Sequence, residues 1–154
     1  MFLTNRDVIK NLKINTVTTS SPVFTLMCQE TELTLGMDFE EQTWYDFCNA
    51  FQKALKTGVA ITIEGTVKID ITNNAIKNVL GDIHTLLASG EIAQFNNKLV
   101  QFDLVTGVNN GVIEYTTYQA DVAFSIESLG GTAEEVGEFS MSMTVNSANV
   151  VTSA

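Results

Sequence analysis

Between Val59 and Thr72 apolar and polar residues alternate without a break. Val59, Ile61, Ile63, Gly65, Val67, Ile69 and Ile71 fall on one side, and Ala60, Thr62, Glu64, Thr66, Lys68, Asp70 and Thr72 on the other. Period two is the repeat of an extended chain, whose successive side chains point to opposite faces. No helix gathers such a set onto one stripe. A strand about twice the ordinary length must give one face to a core and the other to water, a lumen or a neighbouring chain. Gly65, at its middle, reads as a bulge or bend.

The rest of the chain builds around that strand. Residues 23–28 and 31–35 read as two short strands, with acids marking the connection that follows. A helix is predicted over 43–58: Thr43 and Asp46 suit its first turn, Lys53, Lys56 and Gly58 its end, and Trp44, Phe47, Cys48, Phe51 and Leu55 recur at helical spacing. That stripe, with Trp44, Phe47, Phe51 and Leu55 as its core-packing residues, is expected to dock on the sheet. A second helix starts at Asn73 or Asn74, carries Ile76, Val79, Leu80, Ile83 and Leu87 on one face, and stops at Ser89-Gly90. Strands are predicted at 91–95, 98–106, 112–119 and 120–129, separated by an Asn96-Asn97 turn and a loop at 107–111. An acidic loop at 130–135 leads to a last strand placing Phe139, Met141, Met143 and Val145 against Ser140, Ser142, Thr144 and Asn146. Residues 1–22 are polar and weakly periodic, ending in a loop at 18–22, and read as an N-terminal arm. The expectation is a mainly β, α+β chain with one domain over 23–154 and one or two flanking helices.

Charge narrows the function. Eighteen acids against eight bases give a net charge of −10, and after Lys98 there are seven acids and no base. A surface of that sign repels phosphate, whereas gripping nucleic acid takes clustered Lys and Arg. Charged residues make up only 17% of the chain, against about 25% in an average soluble protein, so Ser, Thr, Asn and Gln, or burial against copies of itself, must cover the surface. Cys28 and Cys48 are expected as reduced, buried thiols. His84, off the apolar face of the second helix, reads as a surface or packing residue. Two distant cysteines and one histidine match no zinc spacing, and there is no phosphate-binding glycine loop, nucleophile elbow or calcium loop. The pairs Glu40-Glu41 and Glu134-Glu135 read as solvated charge rather than acid and base. No cofactor, metal or catalytic residue is expected. Nothing near Met1 resembles a signal peptide and no run is long enough to span a membrane, which predicts a protein made and kept in the cytoplasm.

The order of elements from Trp44 onward resembles the phage tail tube (major tail protein) family. The resemblance rests on Phe51-Gln52-Lys53-Ala54-Leu55-Lys56-Thr57-Gly58 running into Ile61-Thr62-Ile63-Glu64-Gly65, on a helix closing at Gly90, on the Asn109-Asn110-Gly111 turn, and on residues 122–129 with Gly130-Gly131 before a final strand. It covers about two-thirds of the chain. The resemblance implies a β-sandwich or small barrel, a homo-oligomer of hexameric rings stacked into a hollow tube, and a place in the virion tail after assembly in the host cytoplasm. It also implies initiator or baseplate, tape measure and terminator proteins as partners, and DNA passing through without specific binding. Six copies would carry about 60 negative charges per ring, and acids facing the lumen would keep DNA off the wall. Glu64, Asp70, Asp103 and Glu114, each in or at the end of a strand, are the candidates for that wall. Ring-to-ring contact is assigned to residues 1–22 and 30–43, so deleting 2–20 is expected to leave a folded domain that forms no long tubes. The same alternation and acidity would serve a soluble β-sandwich binding module, such as a capsid decoration or receptor-binding domain, or the tube of a bacteriocin or secretion particle. Against a binding module, nearly every Phe falls on an inward position, leaving Tyr115 and Tyr118 as the aromatics free to meet a ligand.

Overall fold

A computed structural model describes residues 1–17, 21–48 and 50–151; most of the loop expected at 18–22, Asn49 of the expected first helix, and 152–154 of the expected domain lie outside the described residues. The elements are α1 (Asn5–Val8), β1 (Ile9–Asn15), β2 (Phe24–Leu26), β3 (Glu30–Trp44), β4 (Lys53–Lys68), α2 (Asn74–Ser89), α3 (Ala93–Asn96), β5 (Lys98–Asn109), β6 (Val112–Leu129) and β7 (Glu138–Val150). All seven strands form one antiparallel sheet in the order β2-β1-β5-β6-β7-β4-β3. The sheet curls until β1 comes beside β3, so its inner face wraps a single core. The mainly β class with flanking helices is what the sequence predicts, and the sandwich or barrel takes the form of this one curled sheet.

Alternation decides what enters the core. On β4, Ile63, Gly65 and Val67 are buried while Thr62, Glu64 and Thr66 point away. The register carries the same parity across the sheet, to Phe139, Met141 and Met143 on β7, Val122 and Phe124 on β6, Val100 and Phe102 on β5, and Leu12 and Ile14 on β1. Each such side chain is worth about 1.5–3 kcal/mol relative to exposure. Gly65 is where β3 comes closest: its register slips between Glu30 and Glu32, and a Cβ at Gly65 would meet the Glu32 carbonyl oxygen at 2.7 Å. The expected bulge is therefore in the partner strand.

Helix α2 begins and ends as predicted. The Asn73 side-chain oxygen accepts from the backbone N–H groups of Ala75 and Ile76, its amide donates to the Leu26 and Met27 carbonyls, and Gly90 closes the helix at φ 73°. Ala75, Ile76 and Val79 are buried, but Leu87, expected on the same face, is exposed.

Several expectations are overturned. The predicted helix at 43–58 is the distal half of a β3–β4 hairpin, paired from Glu30↔Val67 to Trp44↔Lys53. Trp44, Phe47, Phe51 and Leu55 pack no core; all four are exposed, Phe47 fully. Their helical spacing lost to cross-strand pairing, Met37 opposite Ile61 and Phe39 opposite Val59, which no local window contains. Within the expected arm, β1 is an inner strand between β2 and β5, with Leu12 and Ile14 at 0% exposure. The strand expected at 91–95 gives way to the short helix α3, and β4 ends at Lys68, leaving Ile71 exposed. The loop expected at 107–111 narrows to an Asn110-Gly111 turn with both residues at positive φ, and the two strands expected at 112–129 are one. Both cysteines are exposed in the single chain, Cys28 at φ 61° just after β2 and Cys48 in the hairpin loop.

Candidate assembly surfaces

The face of the sheet opposite the core is built of small polar side chains. Across the strands run Thr62, Thr144 and Ala123; Glu64, Ser142 and Ser125; Thr66 and Ser140; and, nearer β1, Gln101 with Gln119 and Asp103 with Thr117. Hydroxyl and amide groups cover this face with little charge, as the low charged fraction of the chain predicts.

The four acids expected to share one wall are divided. Glu64 lies exposed on the polar face, beside a shallow depression lined by Thr34, Gly36, Asp38, Ala60 and Thr62. Asp103 is on the same face near the other end of the sheet, held by Thr117 Oγ1 at 2.6 Å and Asn11 Nδ2 at 2.8 Å. Asn11 reaches it from a β1 irregularity, at φ 55°. Asp70 sits beyond β4 in a tight turn, where its Oδ1 accepts from the hydroxyl of Thr72 at 2.6 Å and from its backbone N–H at 3.0 Å. The hydroxyl first and the N–H second hold its carboxyl below the usual range. Glu114 has the parity of the core-facing Tyr118 and Ala120, so it projects from the side of the β5–β6 hairpin opposite the polar face. The structure thus brings Glu64 and Asp103 onto one face and leaves Asp70 and Glu114 off it.

A second surface includes residues 30–43, expected to make contacts, in a hairpin that went unread in the sequence. β7 pairs with β4 only from Thr62 to Lys68, so residues 53–61 of β4 and the facing part of β3 project past the sheet as a two-stranded arm. Met37, Phe39 and Val59 are exposed on one side of it, and Trp44 and Leu55 near the tip. Lys56 Nζ lies 4.8 Å from the centre of the Phe39 ring, and Lys53 pairs with Asp46 across the loop. The signal was present as alternation of Met37 and Phe39 with Asp38 and Glu40, masked by the acids that read as a connection.

The two tyrosines expected to be free are engaged. Tyr115 donates its hydroxyl to the Asp7 carbonyl at 2.9 Å under Lys10 Nζ, 3.9 Å from the ring centre, and Tyr118 stacks on Phe102. Instead it is Phe2, Phe39, Phe47 and Phe51 that are exposed. Equally absent from the sequence reading is Lys98, 7% exposed, whose ammonium donates to Asn78 Oδ1 and Asp82 Oδ2 at 2.5 Å each and ties α2 to the start of β5. Glu30 has one carboxylate oxygen buried without a partner, and burial pushes its carboxyl above the usual range. Among the described residues no three or more His, Cys, Asp and Glu gather to hold a metal, and no helix is long and apolar enough to cross a membrane.

No family model and no curated protein matches the chain. Solved structures do. A chain from the tail of an empty GTA particle with C6 symmetry is 12% identical, with a TM-score of 0.59 over 98% of this chain and 100% of that one. The SPP1 tail tube protein is 20% identical, with a TM-score of 0.54 over 94% of this chain and 76% of that one. A chain from the PVC sheath-tube complex of an extracellular contractile injection system is 9% identical, with a TM-score of 0.51 over 91% and 86%. The fold defined by the curled sheet, its covering helix and the projecting hairpin is tail-tube-like.

Proposed function

We propose that the protein is a non-catalytic structural subunit that polymerises as stacked hexameric rings into a hollow tail tube. The observation that carries this reading is the projecting β3–β4 hairpin, on a chain whose fold is tail-tube-like. A two-stranded arm with exposed Met37, Phe39, Trp44 and Leu55 and unpaired edges is unstable and aggregation-prone by itself. Neighbouring copies cover it. Hairpin residues 30–43 keep the contact role expected of them; of residues 1–22, Ile9–Asn15 are taken up in the sheet as β1, so a contact there falls to residues outside that strand.

The polar face carrying Glu64 and Asp103 lines the lumen in this reading. Small hydroxyl side chains give passing DNA little to hold it, Lys68 on this face is paired with Glu138, and the acids repel its phosphates. The tube belongs to a virion tail assembled in the host cytoplasm, with initiator or baseplate, tape measure and terminator proteins as partners. Engagement of Tyr115 and Tyr118 takes up the two aromatics on which the binding-module reading relied.

Negative-stain electron microscopy of the concentrated recombinant protein, beside its mass by size-exclusion light scattering, tests the proposal. Rings or hollow tubes of uniform width are expected; a monomer at every concentration would overturn it.

A further inference from the structure

β5 begins at Lys98 opposite Val122, so the rest of β6 has no strand on that side. Beside this bare edge a groove of about 460 Å³ opens between β6 and the helices, and Ile83, Leu86, Ile92, Phe95, Ile126 and Leu129 line it. Phe124 anchors its floor by stacking on Phe95 at 6.4 Å. The volume is that of an ordinary binding cleft.

The chain's own hairpin tip does not reach it. Through the register, Ile126 is level with Met141 and Gly65, whereas the tip begins at Lys53, twelve residues or roughly 40 Å further along the strand direction. An occupant of matching chemistry must come from another molecule, and charge says which. Residues 44–56 carry Lys53 and Lys56 against Asp46, a net +1, so the remaining residues of a −10 chain carry −11. Glu127 lies in the groove wall and Glu91 adjoins Ile92. The aromatic tip, at net +1, thus complements an apolar cleft edged with acid.

We infer that the groove between β6, α2 and α3 is the socket for the β3–β4 hairpin tip of a second copy, with Phe47 and Trp44 entering it. This rests on the tube reading and names its contact. Tip and socket are different patches of one chain, so the contact is heterologous: each copy keeps a free tip and a free socket, and the series closes into a ring or extends as a stack.

Phe47→Asp and Ile92→Asp test the two sides separately. Both residues are exposed, so both variants should melt within a few degrees of the parent. Each alone should need at least about thirtyfold more protein to assemble. Mixed in equal amounts, they should form a discrete dimer by light scattering, since one supplies an intact socket and the other an intact tip. Parent tubes with Phe47→Asp tubes forming at the parent concentration would overturn the contact alone, as would a mixture that stays monomeric. A parent that never assembles would overturn the contact and the tube reading together.

Discussion

Gly65 and Glu30 flank the point where β3 slips on β4, and each makes a prediction at the scale of one residue. A methyl group at Gly65 would meet the Glu32 carbonyl at 2.7 Å and Met141 Cε at 3.1 Å. The backbone oxygen belongs to a paired strand and does not move freely. Gly65→Ala is expected to cost on the order of 1–3 kcal/mol, read as a lower urea midpoint at unchanged slope. Glu30 works the other way. Its folded carboxyl titrates above its unfolded one, so its contribution is most favourable below the unfolded value and is lost as pH rises through the folded value. At neutral pH it is a charged group with one oxygen buried and unpaired. Glu30→Gln should therefore raise the melting temperature by about 2–4 °C at pH 7 and by nothing near pH 3. A gain at both pH values would assign the effect to packing rather than charge.

At the scale of elements, the α2–β5 junction and β1 carry the predictions. Lys98 is buried with Asn78 and Asp82 as its partners from the helix. Asp82→Ala leaves that ammonium without its counter-charge and is expected to cost about 2–4 kcal/mol; Lys98→Met, which removes the charge and keeps the stem, should cost under about 1 kcal/mol. Equal losses in the two, measured by denaturation, would mean that the pair matters for its hydrogen bonds rather than for burial of charge. β1 reverses an expectation. Because Leu12 and Ile14 are fully buried between two strands, deleting residues 2–20 should abolish folding instead of leaving a folded, non-assembling domain. Two large core side chains at about 2–5 kcal/mol each consume most of a stability of about 5–15. A truncated protein with the parent's circular dichroism and melt would refute the inner-strand placement.

For the whole molecule, copies of a chain at −10 repel one another before any contact forms. The Debye length falls from about 20 Å at 0.02 M salt to about 4–5 Å at 0.5 M, which screens that repulsion and leaves apolar contacts intact. The concentration needed for assembly is expected to fall as salt rises over that range. A rise would mean that ion pairs, not apolar burial, hold the copies together.

What the sequence determined by itself is what depends on neighbours along the chain. Period two over 59–72 set the inner and outer faces of β4, and Asn73 and Gly90 marked where α2 starts and stops. The loop read at 107–111 marked where the chain turns back, though not the two-residue Asn110-Gly111 turn that closes it. Each is a local preference with no competing partner. The 43–58 segment had two local solutions, since Trp44, Phe47, Phe51 and Leu55 fit a helical stripe as well as the end of a hairpin. Only pairing with residues 30–44 chose between them, because fourteen matched positions of backbone hydrogen bonding outweigh a stripe with no surface to dock on. The same holds for the four acids. A strand tells which side of itself an acid occupies, but only the cross-strand register, which pairs Asp103 with Thr117 and Glu64 with Ser142, and the turn at Asp70 put Glu64 and Asp103 on one face and left Asp70 and Glu114 off it.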